Sequence, residues 1–122
     1  MVKPHALIVE DNPQLNMVFS ITLQDDFEVE SVDSGSRALE YLKEHVPDIV
    51  ILDIHMPGVS GDQVLQYVRS AEHLAPVRVI VTTADNSAAD ALTAEADLVL
   101  LKPVNPIQLH TLATRIILKN AL

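Results

Sequence analysis

Five short apolar runs, each separated from the next by a longer amphipathic stretch, constrain this chain more than any other feature. The runs are Ala6–Val9, Phe27–Val32, Ile49–Leu52, Val77–Val81 and Leu98–Leu101. Four are nearly continuous in Val, Ile, Leu and Ala, which suits strands buried on both faces of a parallel sheet. The second, Phe-Glu-Val-Glu-Ser-Val, alternates instead, which suits an edge strand or one with a wetter face. The stretches between and after them carry helix punctuation. Asn12-Pro13 reads as N-cap and first helical residue ahead of Leu15, Val18, Phe19 and Thr22. Ser34 or Ser36 opens a second helix through Ala38, Leu39, Tyr41 and Leu42, and Pro47 stops it. A third starts near Gly61 and ends before Pro76; Ser87 opens a short fourth through Ala91 and Leu92; Pro106 opens a fifth with Leu109, Leu112 and Ile116. Strand and helix in strict alternation, (βα)5, imply right-handed crossovers. The expected fold is α/β, a doubly wound five-stranded parallel sheet with five helices. A length of 122 residues is one domain's worth, so a single domain over 1–122 is expected.

Composition removes whole classes of function. There is no cysteine, which excludes disulfides, Cys-zinc sites and thiol catalysis. The formal charge of −9 argues against a nucleic-acid-binding surface. With no Trp and only Phe19, Phe27, Tyr41 and Tyr67 as aromatics, a base-stacking platform is not available. The only glycines are Gly35, Gly58 and Gly61, so neither a dinucleotide fingerprint nor a P-loop can be written. The apolar runs fall far short of the ~20 residues of a membrane span. The opening Met-Val-Lys-Pro-His has no apolar signal-peptide core. A cytoplasmic protein without membrane contact is therefore expected.

In a doubly wound sheet the site lies beyond the carboxyl ends of the strands. There the sequence places Glu10-Asp11 after the first run, Asp53 after the third, Thr82-Thr83 after the fourth and Lys102-Pro103 after the fifth. Three carboxylates packed on one rim repel and raise one another's pKa unless a cation joins them. Mg²⁺, a small hard cation that takes oxygen ligands, answers that need. No His lies near Glu10-Asp11 or at the ends of strands four and five, which counts against zinc or copper. Lys102 is the only Lys or Arg between Arg78 and Arg115, and a lone ammonium at an acidic metal site points to a bound anionic group. Lys102-Pro103 is a candidate cis bond. Thr82 and Thr83 point to opposite faces of their strand, so one of them at most is functional, and Thr82 reads as packed or structural.

This arrangement resembles the receiver domain of two-component response regulators. The resemblance covers essentially the whole chain. It rests on Ile8-Val9-Glu10-Asp11-Asn12, on Leu52-Asp53-Ile54-His55-Met56-Pro57-Gly58-Val59-Ser60-Gly61, on Val81-Thr82-Thr83-Ala84 and on Leu101-Lys102-Pro103. Each motif alone is weak; the four together, in order and each at a strand end, are specific. The resemblance implies a strand order of 2-1-3-4-5. It implies that Asp53 is the phosphoacceptor, fed by a sensor histidine kinase or a histidine phosphotransfer protein. Glu10, Asp11 and Asp53, with the backbone carbonyl of His55, would hold Mg²⁺. Thr83 would hydrogen-bond the phosphoryl oxygens and Lys102 would pair with them. The side chain of His55 and Asp85 occupy positions that tune phosphoryl lifetime in the family.

Two departures from the family pattern stand out. Val99 occupies the strand-five position where the family often has Tyr or Phe, so an aromatic rotamer switch cannot operate there. The chain from Thr83 to Lys102 is about three residues shorter than usual, close to one helical turn, so a short or irregular fourth helix is expected. The fifth helix adds Ile117, Leu118, Ala121 and Leu122 to the stripe that faces the sheet. This reads either as a wide stripe with a frayed end or as a homodimer, partner or output-domain contact. Asp25-Asp26 reads as a solvated turn, and His5, His45, His73 and His110 as surface residues. Other readings are a degenerate receiver that binds constitutively and an acyl-phosphate hydrolase. Against the hydrolase, His55 stands where a second catalytic Asp would be needed.

Overall fold

The helix starts follow from local chemistry. Asn12 accepts hydrogen bonds from the backbone N–H groups of Gln14 and Leu15, with Pro13 as the first helical residue. Ser34, not Ser36, caps the second helix by accepting from Arg37 N–H. Ser60 and Gln63 form a reciprocal capping box. Asn105 Oδ1 accepts from the N–H groups of Ile107 and Gln108 at 2.9 and 3.1 Å.

The computed structural model describes residues 2–87 and 95–121. In chain order the elements are β1 (His5–Val9), α1 (Pro13–Leu23), β2 (Glu28–Val32), α2 (Gly35–Glu44), β3 (Ile49–Asp53) and α3 (Gly61–Ser70). A 3₁₀ turn (Glu72–Leu74), β4 (Arg78–Thr83), β5 (Leu98–Leu101) and α4 (Pro106–Ala121) follow. The helix α4 is the fifth expected from the sequence. The expected fourth, beyond Ser87, falls outside the described residues, as do Leu122 and the side chain of Ala121. The strands form one parallel sheet in the order β2-β1-β3-β4-β5, the order that the resemblance implies.

The sheet separates two apolar clusters. On one face Leu7, Val9, Val50, Leu52, Val79 and Val81 pack with α2 and α3 through Ala38, Leu42, Val64, Leu65 and Val68. On the other, Ala6, Ile8, Ile49, Ile51 and Ile80 pack with α1 and α4 through Phe19, Leu23, Leu109 and Ala113. All five residues of β3 are buried, the apolar run Ile49–Leu52 as strands covered on both faces require and Asp53 with it. Glu28 and Glu30 of β2 are exposed at the sheet edge, as its alternation predicts, and Ser31, of the opposite parity, is exposed as well.

Arg69 at the end of α3 braces the approach to β5. Its guanidinium donates to Glu95 O at 2.6 Å, Val77 O at 2.9 Å and Asp97 Oδ2 at 3.0 Å. Asp97 also accepts from Arg78 at 3.1 Å and from Val79 N–H at 2.7 Å. These bonds hold the entry to β5 against β4, and so set where Lys102 leaves the sheet.

Candidate functional site

Parallel strands of similar length end together, so residues that follow them collect on one rim. Glu10 continues β1, its N–H donating to Val32 O at 3.2 Å. Asn16 on α1 ties that junction, its Nδ2 donating to Glu10 O and to Val32 O, both at 3.0 Å. The Glu10 carboxylate accepts from Asn12 N–H at 3.1 Å through Oε2. Asp53 closes β3, and its Oδ1 accepts from His55 N–H at 3.3 Å. Gly61 makes this turn possible. A Cβ there would lie 2.3 Å from Asp53 O, closer than atoms can approach, so α3 starts against the Asp53 backbone only with glycine. Gly58 supplies the φ of +75° that the same loop needs.

Glu10, Asp11 and Asp53 offer carboxylate oxygens that lie within 4.8 Å of one another. Glu10 and Asp53 are buried, at 1% and 3% exposure, while Asp11 is exposed. Lys102 Nζ stands 3.1 Å from Glu10 Oε1 and 3.3 Å from Asp53 Oδ1. The Lys102-Pro103 bond is cis, as the sequence suggested. Burial, then the Glu10 charge, push the Asp53 carboxyl up to about 7, against the opposing pull of Lys102. Burial disfavours the Lys102 charge, but hydrogen bonds and charges from Glu10 and Asp53 win and hold its pKa above the ordinary lysine value. One ammonium therefore does not balance the cluster. Hard oxygen donors with surplus negative charge are the donor set of a divalent cation such as Mg²⁺, so the residues fit that ion.

The other expected site residues lie around this cluster. Thr83 is buried at the end of β4; its Oγ1 accepts from Asp85 N–H at 3.1 Å and its carbonyl accepts from Lys102 N–H at 2.8 Å. His55 and Asp85 face each other across the rim, Nε2 to Oδ2 at 3.9 Å, with side chains 59% and 49% exposed. Val99 is half-buried and packs against the cluster that includes α2 and α3. His110 lies at the surface, as expected, but its Nε2 meets Asp26 Oδ2, tying the turn after α1 to α4. The sequence reading missed Asn16, which no motif marks; Thr82 is buried, as a packed residue should be, but its hydroxyl has no hydrogen-bond partner.

Residues 6–114 match the family model of the response regulator receiver domain. The chain is 34% identical over 119 residues to the two-component response regulator ORR5 of Oryza sativa subsp. japonica, covering 93% of this chain and 89% of that protein. It is 30% identical over 118 residues to the sensor histidine kinase TmoS of Ectopseudomonas mendocina, covering 94% of this chain but 12% of that protein. Among solved structures, the chemotaxis response regulator CheY4 of Vibrio cholerae superposes with a TM-score of 0.85 at 27% identity, covering 94% of this chain and 99% of that one. Among the described residues, no helix is long and apolar enough to cross a membrane.

Proposed function

Because this chain belongs to the response regulator receiver domain family, we propose that it is a phosphorylatable switch whose acceptor is Asp53. The observation that carries the reading is the buried Asp53 carboxylate, 3.3 Å from Lys102 Nζ inside a cluster of three carboxylates. The phosphodonor is a histidine kinase or histidine phosphotransfer protein. A carboxylate oxygen of Asp53 forms a bond to phosphorus as the donor's phosphorus–nitrogen bond breaks. The electron pair returns to the imidazole, and the product is an acyl phosphate. Such transfer needs positioning and charge neutralisation more than covalent machinery. A Mg²⁺ held by Glu10, Asp11, Asp53 and the His55 carbonyl would supply most of that neutralisation. Lys102 supplies the rest, pairing with phosphoryl oxygens.

Thr83 is the switch residue in this reading. Turning its hydroxyl towards a phosphoryl oxygen breaks the bond from Asp85 N–H and moves the loop after β4. The change passes to the face of the expected fourth helix, β5 and α4. Exposed Leu118 on α4 supports a contact there with a second copy, a partner or an output domain. The chain acts in the cytoplasm as a single receiver domain over 1–122, and any DNA contact belongs to another domain. Its chemistry is self-modification and autodephosphorylation, not turnover of external substrates.

Intact mass after incubation with Mg²⁺ and a small-molecule phosphodonor tests this. One added phosphoryl group on the native chain, absent without Mg²⁺ and absent in Asp53→Asn, is expected. An unmodified native chain, with a histidine-phosphorylated donor protein failing as well, overturns the reading in favour of a constitutive binding module.

A further inference from the structure

Thr82 is a buried polar group that the proposed mechanism does not use. Strand β4 lies between β5, which leads into Lys102, and the strands β3 and β1 that carry its partners. Neighbouring strands are about 4.8 Å apart. To stand 3.3 Å from Asp53 and 3.1 Å from Glu10, the Lys102 side chain must cross the end of β4. Thr82 pairs with Asp53 on one side and Leu100 on the other, so its side chain shares their face of the sheet. Thr83, the next residue, faces away. Thr82 is thus the β4 side chain under the crossing.

Its exposure is 0% and its Oγ1 has no hydrogen-bond partner. A buried hydroxyl left unpaired is unfavourable, and valine would fill the same space without that cost. The Lys102 ammonium has three donors. Glu10 and Asp53 engage two of them. A cation drawn to the cluster competes for those same carboxylate oxygens.

We propose that Thr82 is a positioning residue for Lys102, its hydroxyl accepting a hydrogen bond from the ammonium when the carboxylates are engaged elsewhere. The hydroxyl then holds the charge over β4, beside Asp53, instead of letting it swing outwards. A valine methyl would support the lysine stem but give the ammonium nothing to bond. The inference rests on the reading in which Lys102 faces a phosphoryl group at Asp53.

The test compares the native chain with Thr82→Val, Thr82→Ser and Thr82→Ala. The first readout is the NMR signal of the Lys102 ammonium protons in the Mg²⁺-loaded, unphosphorylated chain. Slow exchange in the native chain and Thr82→Ser, and loss of the signal in Thr82→Val and Thr82→Ala, is expected. The second is the rate of phosphoryl uptake at saturating Mg²⁺. It should fall about tenfold in Thr82→Val, the order expected for one charge-assisted hydrogen bond, and stay near native in Thr82→Ser. Thr82→Val should melt no lower than the native chain. If it fails to fold, Thr82→Ala against Thr82→Ser decides. Equal ammonium signals and equal uptake rates across folded variants overturn the inference while leaving the switch reading intact. A native chain that takes up no phosphate overturns the switch reading, and the ammonium signal still decides the placement of Lys102.

Discussion

The two faces of the sheet begin alike and end differently. Against α2 and α3, the side chains Leu7, Val9, Val50, Leu52, Val79 and Val81 stay apolar, and Ile54 extends that core past the end of β3. Against α1 and α4, Ala6 and Ile8 give way to Glu10, Ile49 and Ile51 to Asp53, and Ile80 to Thr82. The same backbone lattice thus carries a dry core on one side and buried charge at the rim of the other. The first face is stabilised to its edge. The second gives up stability at its rim, where charge is held out of water.

Core truncation should have the largest effect and should not distinguish the faces. Leu52→Ala and Ile51→Ala point to opposite sides of β3, and each is expected to cost roughly 2–5 kcal/mol by denaturant unfolding. A cost below about 1 kcal/mol on either side would break the picture of two equally packed faces.

Gly61→Ala comes next. The added Cβ would meet Asp53 O at 2.3 Å, a backbone clash that a helix-propensity gain of about 1 kcal/mol does not offset. A net loss of roughly 1–3 kcal/mol is expected, the usual cost of overpacking. An unchanged melting temperature would show that α3 does not press on the Asp53 backbone.

The rim itself should respond in the opposite sense. Asp53 is held at about 7 in the folded chain against an ordinary 3.8. Between those values the folded state binds the proton that the unfolded state has lost, so the Asp53 contribution destabilises increasingly as pH rises from about 4 to about 7. Asp53→Asn should therefore raise the melting temperature above neutral pH by several degrees, at about 4 °C per kcal/mol for a domain of this size. That advantage should shrink as pH falls below the folded-state value. An advantage that is constant with pH would show that the Asp53 carboxyl is not held protonated by its surroundings. Mg²⁺ affinity should weaken over the same acid range, since the ion needs the ionised carboxylate.

The smallest effects belong to the exposed side chains at the rim. His55→Ala and Asp85→Ala should change the autodephosphorylation rate a few-fold, more than they change phosphorylation, because their side chains face each other on the rim that carries Asp53. Decay rates equal to the native rate in both variants would remove them from the site.

Much of this was legible from the chain. Apolar runs with few polar interruptions predict strands covered on both faces, and β1, β3 and β4 are such strands; Leu98–Leu101 reads the same way, but β5 lies at the sheet edge, half-buried with Leu101 exposed. Asn12-Pro13 and Pro106 mark helix starts because helix punctuation is local chemistry. Long-range partners were less legible. The tie of His110 to Asp26 joins residues distant in sequence that are brought near only by the packing of α1 against α4. Asn16 lies in a helix with no motif around it, yet its amide joins β1 to β2.

Residue order alone determined the alternation of strand and helix, the caps, and the set of charged residues at the strand ends. These depend on neighbours a few positions apart and on a period of two or 3.6 residues. Tertiary structure decided which charges meet. Lys102 reaches Glu10 and Asp53 because β4 and β3 separate β5 from β1 and all four strands end on one rim. It also decided that Thr82, which reads as a packing residue, has a hydroxyl with no partner. A hydrogen bond depends on distances and angles between atoms far apart in the chain, and only the assembled sheet supplies them.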